Sequence, residues 1–278
     1  MVVDSTLVDR MSRRALVRYQ CWPGTSIGCP RREGVPRSLL PAPFVTMEAV
    51  ILRKQRRGSK RSVVVLGLSA TTALCVTLEA TRDVVYGPDY RFVLWNLVLG
   101  WIPLWLSLSI YDAYRGGARI IRLAPVILLW LLFLPNAPYL MTDLIHLREH
   151  LDAPRWFDAL LLMLSGATGL LICFASMYLV HAVLRHRLGA VVAWKLIAAI
   201  LVLVGAGLYL GRFLRWNSWD MLTQPVRRAE QVLPHLTNQD ALVRALLLIG
   251  LMAGGLSLGY ALFFRFVESR RSDTGAAS

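Results

Sequence analysis

The side chains best able to do chemistry fall into three short segments, Arg91–Asn96 (RFVLWN), Pro135–Leu147 (PNAPYLMTDLIHL) and Gly211–Pro225 (GRFLRWNSWDMLTQP). In the second, Pro135 and Pro138 each lack a backbone donor and interrupt a helix, releasing carbonyls that Asn136 or water must satisfy. Thr142 or Asp143 can then cap a new amphipathic helix, on which Asp143, His146 and His150 recur at i, i+3 and i+7 and share a face. Histidine and carboxylate suit zinc. One helix seldom supplies a full ligand set, however, and no HExxH accompanies the trio, so no metal is expected. A capping aspartate and an interfacial histidine account for it.

The third segment places Arg212, Arg215, Trp216, Asn217, Ser218, Trp219 and Asp220 within nine residues. An aromatic belt with snorkelling arginines is one reading. The directional donors and acceptors of Arg215, Asn217 and Asp220 exceed what a belt needs, and paired guanidiniums beside indole faces suit a phosphate or carboxylate. Both readings stand on the sequence alone.

The elements that carry these segments follow from composition. The chain has 278 residues, 56% apolar and 17% charged, with mean hydropathy +0.51, against roughly 45–50% apolar and about 25% charged for soluble domains. An ordinary soluble enzyme is excluded. The apolar residues lie in blocks long enough to cross a bilayer, over about 62–79, 92–111, 121–141, 158–180, 190–210 and 243–264. The expected fold is all-α, a polytopic bundle of six spans.

Charge sets its orientation. Of the net +14, residues 1–61 carry +9, with 13 Lys/Arg against 4 acidic residues. The run Arg53, Lys54, Arg56, Arg57, Lys60, Arg61 abuts the first apolar block, which is how a cytoplasmic flank reads and removes the case for a nucleic-acid partner. From residue 53 onward one side of the bundle holds fourteen Lys/Arg and the other nine, so both termini are expected in the cytoplasm. All three polar segments then fall at extracytoplasmic ends. The softest point is the connection 211–241, which supplies four of the nine.

Residues 1–46 hold five of the thirteen prolines and no apolar period, so residues 1–61 read as a disordered basic tail, 62–265 as the membrane domain and 266–278 as a second disordered tail. Met47, just before the basic run, is a credible alternative start. Cys21 and Cys29 lie in the tail and Cys75 and Cys173 inside apolar blocks, without a disulfide framework or CxxC metal motif. Buried polarity within the spans reads as sparse, Asn96 and Lys195 lying near opposite ends, with no acidic residue near a midplane. That disfavours ion-coupled transport. Gly250–Gly254 and Gly255–Gly259 in the last span are small-xxx-small patterns that would admit a close neighbouring helix.

The strings RFVLWNLVLGWIPLWLSL, LLFLPNAPYLMTDLIHL and GLYLGRFLRWNSWD resemble a bacterial family of integral membrane proteins known as domain of unknown function family 1361, over roughly residues 62–265. The resemblance implies a multi-pass protein of the bacterial cytoplasmic (inner) membrane and carries no established reaction, ligand or catalytic residue.

The functional expectation is a polar site on the extracytoplasmic face that acts on a lipid or envelope component. An enzyme would use Asp143 or Asp220 as base and His146 as acid/base partner. Arg91, Asn96, Asn136, Tyr139, Arg212, Arg215, Trp216, Asn217 and Trp219 would bind the ligand, an anionic lipid or envelope precursor, with no cofactor. The alternatives are a non-catalytic membrane subunit, whose outer loops the same residues order, and a small-solute permease gated near Asn136. The three outer segments are expected to converge, bringing at least one of Arg91, Arg212 and Arg215 within about 4 Å of Asp143 or Asp220.

Overall fold

A computed structural model describes residues 42–87, 90–148, 153–216 and 238–276, together with positions 218, 223, 224, 226, 227 and 230. The chain divides into two units, Met1–Ser59 and Lys60–Ser278. The helices are α1 (Ala42–Tyr86), α2 (Arg91–Arg115), α3 (Ile120–Phe133), the one-turn α4 (Asn136–Tyr139), a 3₁₀ segment (Leu140–Arg148), α5 (Arg155–Leu188), α6 (Ala190–Phe213) and α7 (Gln239–Ala276). No strand occurs among the described residues.

Six stretches are long and apolar enough to cross a membrane: 61–86, 91–115, 120–145, 155–188, 190–213 and 239–270. Both ends of the chain differ from the expected tails. Backbone 42–61 is already helical, because no proline follows Pro43 there and Arg, Lys and Gln are good helix formers. At the other end α7 runs on to Ala276 through a proline-free polar stretch. Residues 1–41 lie outside the described residues.

In the second unit α5 is the central element. Its apolar window is 61% buried, against 17% for the spans of α1 and α7, whose Leu66, Leu247, Leu251 and Leu258 stand exposed where hydrocarbon would cover them. Helix α5 packs on α2, the 3₁₀ segment, α4 and α6, while α7 packs mainly on α6. Gly189, at φ +81°, reverses the chain between α5 and α6 in a single residue, a backbone state that side-chain-bearing residues adopt at a cost.

A buried hydroxyl ties three helices together. Ser176 of α5 accepts from Trp130 Nε1 of α3 at 2.8 Å and donates to the carbonyl of Pro103 of α2 at 3.0 Å. Without water, each of these groups would otherwise be unsatisfied.

The break after α3 is the second organising feature. Pro135 and Pro138 supply no N–H, and side chains bond to two carbonyls at the end of α3. Asn136 Nδ2 donates to Phe133 O at 3.0 Å and Ser218 Oγ to Leu132 O at 3.1 Å. No new helix is capped at Thr142 or Asp143. The chain passes directly from α4 into the 3₁₀ segment, and Thr142 Oγ1 donates back to Tyr139 O at 2.7 Å.

The broken segment is seated on glycine. A Cβ at Gly169 of α5 would collide with the carbonyl oxygen of Ala137, and one at Gly207 of α6 with the Pro135 ring. Gly100 of α2 faces the other side of Ala137, where an added Cβ would stand 3.4 Å from Ala137 Cα. In the last span the expected packing glycines behave differently. Gly250, Gly254 and Gly255 have nothing within 4 Å of an added Cβ, and only Gly259 meets a neighbour, Phe174 at 3.0 Å. The small-residue spacing there reflects glycine's frequency in membrane helices more than contact.

Gly169→Ala should therefore lower unfolding stability by about 1–3 kcal/mol, the usual cost of overpacking, while Gly250→Ala should leave it unchanged or raise it slightly. Thermal or SDS-induced unfolding of the two variants in mixed micelles checks the contrast.

Candidate functional site

The glycine-seated break delivers three polar side chains to one end of the bundle, at the C-terminal ends of α3 and α6 and the N-terminal end of α2. Asp143, on the 3₁₀ segment, is 1% exposed. Its Oδ2 accepts from Asn96 Nδ2 of α2 at 3.1 Å, and its Oδ1 lies 3.5 Å from Arg212 Nη1 of α6. The Arg212 guanidinium carbon is 6.0 Å from the Tyr139 ring centroid, and Tyr139 OH donates to Gly211 O at 3.5 Å. Asn136 completes the cluster's edge through Ser218 Oγ at 2.8 Å. Three of the bonds, Asn96 to Asp143, Asp143 to Arg212 and Asn136 to Ser218, join residues far apart in sequence.

Arg212 and Asp143 are thus the predicted arginine–aspartate contact. Arg91 is not part of it. Its guanidinium makes a two-point pair with Asp83 of α1, at 3.2 and 2.8 Å, on the exposed turn between α1 and α2. Arg215 is exposed and takes φ +53°, a left-handed state uncommon for a non-glycine residue. The turn it makes returns Trp216 N–H to Leu210 O at 3.2 Å. Trp216 is half-buried beside Gly211. The His146 side chain, His150, Asn217, Trp219 and Asp220 lie outside the described residues. Among the described residues no group of three His, Cys, Asp or Glu side chains could hold a metal ion.

A buried carboxylate that accepts from Asn96 and lies against Arg212 fixes the direction of the guanidinium it holds. Arg212, with 15% of its side chain exposed, faces both its aspartate and the surface. A planar guanidinium is the side chain whose geometry matches carboxylate and phosphate oxygens.

A model of a protein family described as protein of unknown function (DUF1361) matches residues 95–253, more than half of the chain. The chain belongs to that family. Asn96, Asp143 and Arg212 of this DUF1361 protein all fall inside the matched region, while Arg91 precedes it. No curated protein and no solved structure matches.

Sequence reasoning missed a second polar set. Arg82 of α1 pairs with Asp158 of α5 at 3.2 Å, both essentially inaccessible, and Arg82 Nη1 also donates to Gly87 O at 2.6 Å. The Arg82 guanidinium sits 4.5 Å from the Tyr90 ring centroid. Glu79, one turn earlier on α1, is 1% exposed. At the opposite end of the bundle, a depression of about 340 Å³ is lined by Tyr178, Ala182, Arg185, His186, Phe264 and Glu268. Tyr178 OH donates to Glu268 there at 2.9 Å.

Asp143→Ala should cost about 3 kcal/mol of stability, because it strands the Arg212 guanidinium in a largely buried setting. Arg91→Ala, which breaks an exposed pair, should leave unfolding unchanged within error. Side-by-side unfolding curves of the two variants decide whether the Asp143 contact or the surface pair holds this end of the bundle together.

Proposed function

We propose that this chain is a multi-pass protein of a bacterial cytoplasmic membrane, with both termini inside, that recognises the anionic group of a lipid or envelope precursor at the extracytoplasmic ends of its helices. The observation that carries the reading is Arg212, aimed by Asp143 and set beside the Tyr139 ring. Arg215 adds an exposed guanidinium three residues on. A guanidinium held by a buried carboxylate has lost rotamer freedom in advance, so less entropy is lost when it closes on a phosphate. In this account Asp143 positions, Arg212 and Arg215 bind, and Asn96, Asn136 and Tyr139 keep the floor in place. No cofactor or nucleic acid takes part.

The burial of Asp143 favours a second reading, a non-catalytic subunit in which the same contacts only order the outer ends. Anionic-lipid binding separates the two. Native mass spectrometry of the purified protein, titrated with phosphatidylglycerol or phosphatidylcholine, should show preferential retention of the anionic lipid. The double variant Arg212→Ala, Arg215→Ala should lose that preference about tenfold, since a charge-assisted hydrogen bond contributes about 1.5–3 kcal/mol. Equal retention of both lipids by the wild type, or an unchanged preference in the variant, leaves the structural role as the account.

A further inference from the structure

Helix α1 carries Cys75, Glu79 and Arg82 at i, i+4 and i+7, one face of the helix. Helix α5 carries Asp158, Ser165 and Thr168, also on one face. Two contacts fix how these faces meet. Arg82 Nε lies 3.2 Å from Asp158 Oδ1, and Cys75 Sγ lies 3.8 Å from Thr168 Oγ1. The helices therefore run antiparallel here, and Glu79 of α1 and Ser165 of α5 each lie between the two contacts along their own helix.

Both residues are 1% exposed. Among the described residues, neither carboxyl oxygen of Glu79 nor the hydroxyl of Ser165 has a hydrogen-bond partner. Such vacancies are rare in protein interiors and rarer within a span, where water is scarce.

Charge makes the same demand. The groups facing Glu79 are Arg82 and Asp83 of its own helix, Arg91 at the start of α2 and Asp158 of α5. Asp83 and Arg91 neutralise each other at the exposed edge, and Arg82 is matched by Asp158. An ionised Glu79 thus leaves one buried negative charge uncompensated, a state that proteins avoid within a membrane. One positive charge is missing. A hard metal cation takes about six oxygen ligands. Glu79 offers two, beside a guanidinium that repels cations. A proton needs only one oxygen.

We propose that Glu79 is a proton-binding site inside the bundle, with the proton carried on its carboxyl. The proton is taken from hydronium, leaving water, and is returned to water on release. No other bond forms or breaks.

Infrared spectroscopy of the full chain in lipid bilayers tests it. At neutral pH the wild type should show the carbonyl stretch of a protonated carboxyl that shifts in deuterated water and is absent from Glu79→Gln. In the wild type alone, isotopic labelling of glutamate carboxyls should move the band and labelling of aspartate should not, so the assignment survives poor folding of a variant. Absence of the band, its movement with labelled aspartate, or its persistence in Glu79→Gln would overturn the proposal. A band that appears only when sodium is replaced by choline would also overturn it, in favour of a metal cation.

Discussion

The backbone of the break between α3 and the 3₁₀ segment lies so close to its neighbours that side chains are excluded beneath it. Pro135 and Ala137 sit against Gly207 and Gly169, where an added Cβ has no room. In a membrane, helices gain little from the hydrophobic effect and associate through close packing and internal hydrogen bonds. Glycine at those positions therefore decides whether a non-helical stretch can exist at all, since its open carbonyls must be covered by protein. Asn136 and Ser218 bond to two carbonyls at the end of α3. Everything downstream, including the depth of Tyr139 and Asp143, depends on that seating.

Two acid–base pairs then hold the bundle with different logic. Arg82 and Asp158 are sealed on both sides, so breaking one would strand the other, although such a pair is not in itself a large source of stability. In the Asp143–Arg212 pair the carboxylate is sealed while 15% of the arginine side chain is exposed. The Arg91–Asp83 pair is exposed and contributes little. The same chemistry thus ranges from lock to tether according to burial.

The six spans were legible because each carries an uninterrupted apolar window, and the convergence of Asn96, Tyr139, Asp143 and Arg212 followed from placing three polar segments at one end. The second polar set was hidden by boundaries. The first span was expected to stop at residue 79 and the fourth to begin at 158, yet α1 runs to Tyr86 and α5 starts at Arg155. Arg82 thereby moves from a loop, and Glu79 and Asp158 from span termini, into packed helix. Hydropathy falls where charges cluster, even when the charges satisfy one another, so a helix end built on an ion pair reads as a loop. The glycines misled in the opposite sense. Gly166 and Gly169, which carry contact, show no longer motif than Gly250 and Gly254, which carry none. Spacing along one helix does not say which face meets a neighbour.

The measurement that bears most directly on this account is a double-mutant cycle on Asp143 and Arg212, run by unfolding in mixed micelles and repeated in a Gly169→Ala background. If the glycine seat positions the cluster, the coupling should exceed about 1 kcal/mol with the seat intact and fall toward zero when it is filled. Equal coupling in both backgrounds, or none in either, would contradict it.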